Sequence, residues 1–161
     1  MPDPLKYAHV ERERRFLVRA VPHGVQESVR IVDHYLDGTR LRLREVRQAD
    51  GTTVRKLGHK VRLSAGPTEV ACTSIYLDDA EWEILSGLPA RHLSKTRHRV
   101  ARDGWSFAVD EFDDGTLLAE TDAGDGPRQH LPDWLDVIAE VTDDETWTGA
   151  GLAGRAQVSG E

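Results

Sequence analysis

The chain has 161 residues, 39% of them hydrophobic and 30% charged, with a net charge of −7, which is the size of one domain with enough apolar material for a core. That acidic balance argues against a general nucleic-acid or membrane-surface binder, which carries a basic excess. No apolar run approaches the ~20 residues of a membrane span, and Met1-Pro2-Asp3-Pro4 lacks the basic-then-apolar pattern of a leader, so a cytoplasmic location is expected.

In chain order, the first strand is expected over about 9 to 18, ended by Pro22-His23-Gly24. Residues 26 to 37 are ambiguous and lead through a turn at Asp37-Gly38 into a strand from Arg40 to Val46. Asp50-Gly51 signals a hairpin, with its partner strand over about 53 to 63. After a loop at Ser64 to Pro67, the β-branched run Glu69 to Leu77 reads as a strand. Asp78 or Asp79 then caps a helix through Leu88, stopped at Pro89, with Trp82, Leu85 and Leu88 as its buried stripe. Leu93 to Arg102 and Trp105 to Phe112 form a hairpin about Asp103-Gly104, and Asp113-Asp114-Gly115 turns into a strand at Thr116 to Asp122. A Gly/Pro/Asp loop at Ala123 to Pro132 precedes a last strand, Val137 to Val141, and a polar, Gly-rich tail expected to fray. The one cysteine, Cys72, excludes an intramolecular disulfide and a thiolate zinc site; its Val70-Ala71 flank marks a buried, inert thiol.

Strands alternate their side chains, so residues i, i+2 and i+4 share a face at about 7 Å spacing. Glu11, Glu13 and Arg15 therefore line up on one surface of the first strand. The same period recurs: Arg40, Arg42 and Arg44 alternate with Leu41 and Leu43, Lys56, Lys60 and Arg62 with Leu57, Val61 and Leu63. Lys95, Arg97 and Arg99 form a third basic row, while Asp110 and the pair Glu120 and Asp122 are acidic. On a solvated face the signs would be mixed; here they are sorted by strand. That sorting predicts a closed or nearly closed sheet whose concave side is a charged cavity suited to a polyanion and its divalent metals.

These residues resemble the CYTH superfamily, the triphosphate tunnel metalloenzymes, whose signature is E-x-E-x-K near the amino terminus of an eight-stranded tunnel. The matches run in the family's order: Glu11-x-Glu13-x-Arg15, Tyr35-Leu36-Asp37, Arg40-x-Arg42-x-Arg44, Lys60, Lys95-Thr96-Arg97, Val109-Asp110-Glu111-Phe112, Ala119-Glu120-Thr121-Asp122 and Glu140-Val141-Thr142-Asp143. The resemblance covers about residues 8 to 150 and implies an α+β fold, a single domain over 1–161 built on an antiparallel eight-stranded barrel with a few flanking helices. It implies metal-dependent hydrolysis of inorganic, thiamine or nucleoside triphosphate, with adenylate cyclisation or non-catalytic polyphosphate binding as alternatives. A homodimer is compatible with it.

Hard ions such as Mg2+ or Mn2+ take carboxylate and phosphate oxygens, and Glu11, Glu13, Asp110, Glu120 and Asp122 supply that set. Arg40, Arg42, Lys60, Lys95 and Arg97 would hold the phosphates, with Arg15 and Arg44 behind them, arginine's planar fork matching phosphate oxygens. Glu11, Glu13, Arg15 and Tyr35 are the catalytic candidates. Where the family usually has Lys, Arg15 stays protonated and holds phosphate or orients a carboxylate; Asp122 for a usual Glu shortens one ligand by a methylene. Asp143, near Glu140, is a weaker candidate. Gly149-Ala150-Gly151-Leu152-Ala153-Gly154 matches a dinucleotide-binding pattern but has no βαβ context and is set aside.

Overall fold

The computed structural model describes residues 2–64, 66–124 and 129–158, with side chains through Arg155; parts of the loops expected at 64–67 and 123–132 and the last residues of the tail lie outside the described residues. The strands are β1 (His9–Val18), β2 (Glu27–Leu36), β3 (Leu41–Arg47), β4 (Thr53–Arg62), β5 (Glu69–Tyr76), β6 (Ala90–Arg102), β7 (Trp105–Phe112), β8 (Leu117–Asp122) and β9 (Val137–Glu140). Their order is β5-β4-β3-β2-β6-β7-β8-β1-β9, with β5 also pairing β1. The result is a closed antiparallel eight-stranded barrel with β9 as an appendage. On one edge β1 pairs β8 over Glu13–Leu17; on the other it pairs β5 over His9–Arg12 and β9 over Phe16–Val18. Closure removes the open edges that a sheet otherwise leaves exposed.

The Asp103-Gly104 hairpin turn follows from backbone chemistry, since both residues adopt positive φ, 52° and 79°, as the tight turn matching strand twist requires. Residues 26–37, ambiguous in sequence, form β2. Its inward row includes Ile31 and Asp33, both essentially inaccessible, and the charge at position 33 blurs the apolar alternation that marks a strand. β6 starts at Ala90, immediately after Pro89, rather than at Leu93.

Helix α1 (Asp79–Ser86) opens with a capping box: Asp78 accepts from the Glu81 amide at 2.8 Å and Glu81 accepts from the Asp78 amide at 2.9 Å. It lies outside the barrel, with Trp82 5.4 Å from the His34 ring and the Arg55 guanidinium over the indole. Its expected buried stripe is corrected: no α1 residue is fully buried, Trp82 and Leu85 are half-buried, and Leu88 lies past the helix and is 47% exposed.

Phe16, Val18, Phe107, Val109, Ala119 and Leu135 form the outer core, packed under the segment carrying Leu131 and Trp134. The second core joins Leu93, Phe112 and Leu118 to Leu152 and Ala153 of helix α2 (Gly149–Val158), with Leu17, Tyr35, Val141 and Trp147 against it. The Gly-rich tail read as fraying is therefore a docked helix. Its glycines serve close packing: a Cβ at Gly149 would lie 1.9 Å from the Tyr35 hydroxyl, and one at Gly151 2.4 Å from the Glu145 carbonyl. Burying Leu152 stabilises that docking by about 1.5–3 kcal/mol. Among the described residues no helix is long and apolar enough to cross a membrane.

Candidate functional site

Strand parity and closure together turn the ionic rows inward, and their side chains meet in three groups of ion pairs along the barrel wall. Lys60 on β4 lies 3.4 Å from Glu11 on β1. Arg15 reaches Glu120 on β8 at 3.3 Å and Glu13 at 3.8 Å. Arg97 on β6 lies 3.8 Å from Glu120 and donates two bonds to Asp110 on β7, at 2.7 and 2.9 Å. Lys95 approaches the same carboxylate at 2.7 Å. Across the barrel, Arg44 on β3 grips Asp33 on β2 with two bonds of 2.7 and 2.8 Å, and Arg42 stands 3.9 Å from it.

These pairings decide which groups are committed and which are available. Burial opposes the charge of Asp33, yet the charge and hydrogen bonds of Arg44 hold its pKa down at about 2. Asp110 is held below the usual carboxylate range by Lys95 and Arg97 against the same burial penalty. Burial lowers the Lys95 ammonium despite the attraction of Asp110, and lowers Lys56 with the help of nearby Arg44 and Arg42. Tyr35 is pushed up to about 12, by burial and then by Asp33, so its phenol is no base near neutrality.

The acidic wall behaves differently. Burial and the adjacent Glu120 charge, with a hydrogen bond between the two carboxyls, push Glu13 up to about 7. Glu120 itself is held low, the burial cost being outweighed chiefly by Arg97. Glu11 is lowered by Lys60 against burial. Arg15 reaches both carboxyls, yet burial and the Glu120 charge still favour one proton on the pair, and Glu13 releases it only around pH 7.

A cavity of about 240 Å³ opens where the basic strands meet the start of α2. Arg15, Arg40, Arg42, Lys60 and Arg62 line it beside Tyr35 and Gly149, and its lining contains no carboxylate. Arg42 Nε is buried there without a hydrogen-bond partner, a desolvated donor whose cost an anionic ligand would offset.

The expected site residues are thus largely assembled, with differences in their commitments. Glu11, Glu13, Arg15, Lys60, Lys95, Arg97, Asp110 and Glu120 belong to the interior ion-pair groups. Asp110, a ligand candidate, has both oxygens taken by cations, and Arg44 is spent on Asp33. Asp122 lies opposite Glu13 in the β1–β8 register but is exposed at the mouth, where it accepts the Gly124 amide at 2.7 Å. Arg40 sits exposed at the cavity rim. The weaker candidates fall elsewhere: Glu140 accepts two bonds from Arg14, which stacks over Phe16 of the outer core, and Asp143 accepts from Thr68. Cys72 is buried, and burial raises its thiol pKa. Sequence reasoning missed Asp33, although it shares parity with Tyr35 and sits opposite Arg44 in the β2–β3 register.

Among the described residues, no three His, Cys, Asp or Glu side chains converge closely enough as placed to hold a metal. The donor chemistry nevertheless fits a hard divalent cation at Glu13 and Glu120, whose binding would compete with the protonation favoured at Glu13.

No protein-family model and no curated protein matches the chain. Its fold is similar to that of the inorganic triphosphatase NE1496, at 26% identity and a TM-score of 0.56 over 89% of this chain and 93% of that one. A second structure, described as the hypothetical protein NE1496, matches at 25% identity and a TM-score of 0.58, over 89% and 96%. A conserved hypothetical protein from Pyrococcus furiosus shares the fold at 16% identity and a TM-score of 0.53, over 71% of this chain and 80% of that one.

Proposed function

We propose that this chain, which belongs to the CYTH superfamily, is a divalent-metal-dependent triphosphatase that cleaves a phosphoanhydride bond inside its barrel. Inorganic triphosphate stands ahead of thiamine and nucleoside triphosphates, because the cavity lining offers cations and no aromatic surface for a base other than the half-buried Tyr35. The observation that carries the reading is the sorting of the interior: carboxylates from β1 and β8 gather on one side, and cations from β3 and β4, among them Arg42 with its unpartnered Nε, line the cavity on the other. The likeness to the inorganic triphosphatase NE1496 supports it.

In this reading Glu11, Glu13 and Glu120 would hold Mg2+ or Mn2+, with Asp122 assisting from the mouth. Such an ion supplies neutralisation of phosphate charge and a water more acidic than bulk. The chain's own residues provide the rest. Arg40, Arg42 and Lys60 bind phosphate oxygens, Arg42 through its buried, unpartnered Nε. Asp110 and Asp33 act as fixed counter-ions that hold Lys95, Arg97 and Arg44 extended into the interior, so the charge facing the substrate is preorganised rather than assembled on binding. Arg15 cannot act as a base and orients Glu120 and Glu13.

That commitment of Arg15 also supports a second reading, a polyphosphate binder without turnover. Incubation with Mg2+ or Mn2+ and a panel of inorganic, thiamine and nucleoside triphosphates separates the possibilities. Phosphate release is expected, fastest from inorganic triphosphate. Tight binding without release would favour the binder, and cyclic AMP from ATP a cyclase. Metal-dependent turnover that survives both Glu11→Gln and Glu120→Gln would remove the assigned ligands.

A further inference from the structure

The outer wall of the barrel carries a hydroxyl, an imidazole and a carboxylate in series, remote in orientation from the charged interior. Ser28 Oγ lies 2.7 Å from His98 Nδ1, and His98 Nε2 lies 2.9 Å from Glu111. Ser28 and His98 are direct cross-strand partners on β2 and β6, and Glu111 projects from β7 on the far side of His98. The strand ladder, rather than a loop, therefore sets the spacing. With the imidazole proton on Nε2 and donated to Glu111, Nδ1 is the acceptor for the Ser28 hydroxyl. The neighbouring charges are already matched, Arg30 donating to Asp113 at 3.0 and 3.2 Å, so His98 is the one group facing Ser28 in this series that can take its proton. His98 is only 16% exposed, while Ser28 is half-buried.

We propose that Ser28 and His98 form a second nucleophilic site, independent of the triphosphate site, that takes acyl groups from activated esters of small carboxylic acids. Ser28 Oγ bonds to the carbonyl carbon while its proton passes to His98 Nδ1. The ester C–O bond then breaks and the departing alcohol or phenol takes that proton, leaving acyl-serine; water later releases the acid and restores the hydroxyl. Glu111 acts as a positioning residue through His98.

The test is p-nitrophenyl acetate labelling of the whole chain, followed by site-resolved mass spectrometry. Ser28 should acetylate about a hundredfold faster than the exposed strand serines Ser74 and Ser106. His98→Gln should bring it down to their rate, and Ser28→Ala should abolish the adduct without altering phosphate release from triphosphate. Glu111→Ala should slow Ser28 labelling about tenfold, and Glu111→Gln, which can still accept from His98 Nε2, should restore part of that rate. Equal labelling of Ser28, Ser74 and Ser106 in the unaltered protein overturns the proposal, as does undiminished labelling in His98→Gln; undiminished labelling in Glu111→Ala removes Glu111 from it.

Discussion

Glu13 on β1 and Glu120 on β8 meet carboxyl to carboxyl inside the barrel, joined by a hydrogen bond, with Glu13 raised to about 7 and Glu120 held ionised mainly by Arg97. Protonation of this pair and binding of a divalent cation there would compete.

The first prediction concerns that protonation. The folded-state pKa of Glu13 is raised above its unfolded value, so the folded chain binds more protons between about 4.5 and 7 and stability falls as pH rises through that window. From about pH 5 to pH 8 the loss should be about 1–2 kcal/mol, after discounting for partial solvent screening. Glu13→Gln should abolish most of that slope in urea denaturation, and the same slope in the variant would assign the dependence elsewhere. Adding Mn2+ to the unaltered protein near pH 7 should release a proton, measurable as a buffer-dependent heat in calorimetry.

Asp33 provides the second. Its carboxylate holds buried Arg44 through two short bonds, so Asp33→Ala leaves an uncompensated charge in the interior. The expected cost is about 3–5 kcal/mol in denaturant unfolding. Because its pKa is depressed to about 2, the contribution is complete above the ordinary aspartate range and is lost as pH falls through it. A loss under about 1 kcal/mol would mean that Arg44 finds another partner or water.

Gly149 gives a steric prediction. Its hydrogen faces the Tyr35 hydroxyl, and a methyl in its place would sit 1.9 Å from that oxygen and 2.9 Å from the ring carbon bearing it. Gly149→Ala should lower stability by about 1–3 kcal/mol, and adding Tyr35→Phe should recover part of the loss. Simple additivity in the double-mutant cycle would show that α2 shifts without meeting Tyr35.

Arg42 tests the basic side of the site. Arg42→Ala removes the donor that the interior leaves unpartnered, so KM for triphosphate should rise about tenfold or more while the metal concentration for half-maximal rate changes little. The opposite split would move Arg42 away from the phosphates.

The charge period was legible in the chain because a strand has only two faces. Once Glu11, Glu13 and Arg15 recur at every second position, or Arg40, Arg42 and Arg44 alternate with Leu41 and Leu43, their shared surface follows from backbone geometry alone. The barrel was legible for the same reason, since sorted signs on successive strands make little sense on an open, solvated sheet. What alternation cannot supply is pairing across the interior, which depends on strand order and register. Asp33 looked like one more polar position until β3 set Arg44 opposite it, and Asp110 looked available until Lys95 and Arg97 closed on it. α2 was hidden because Gly149 and Gly151 read as breakers by local propensity, whereas their missing side chains let the helix approach Tyr35 and Glu145. Local periodicity is written in neighbouring residues and survives in a linear string; the commitment of each charge, and the reason for each glycine, lies in partners distant along the chain and exists only after closure.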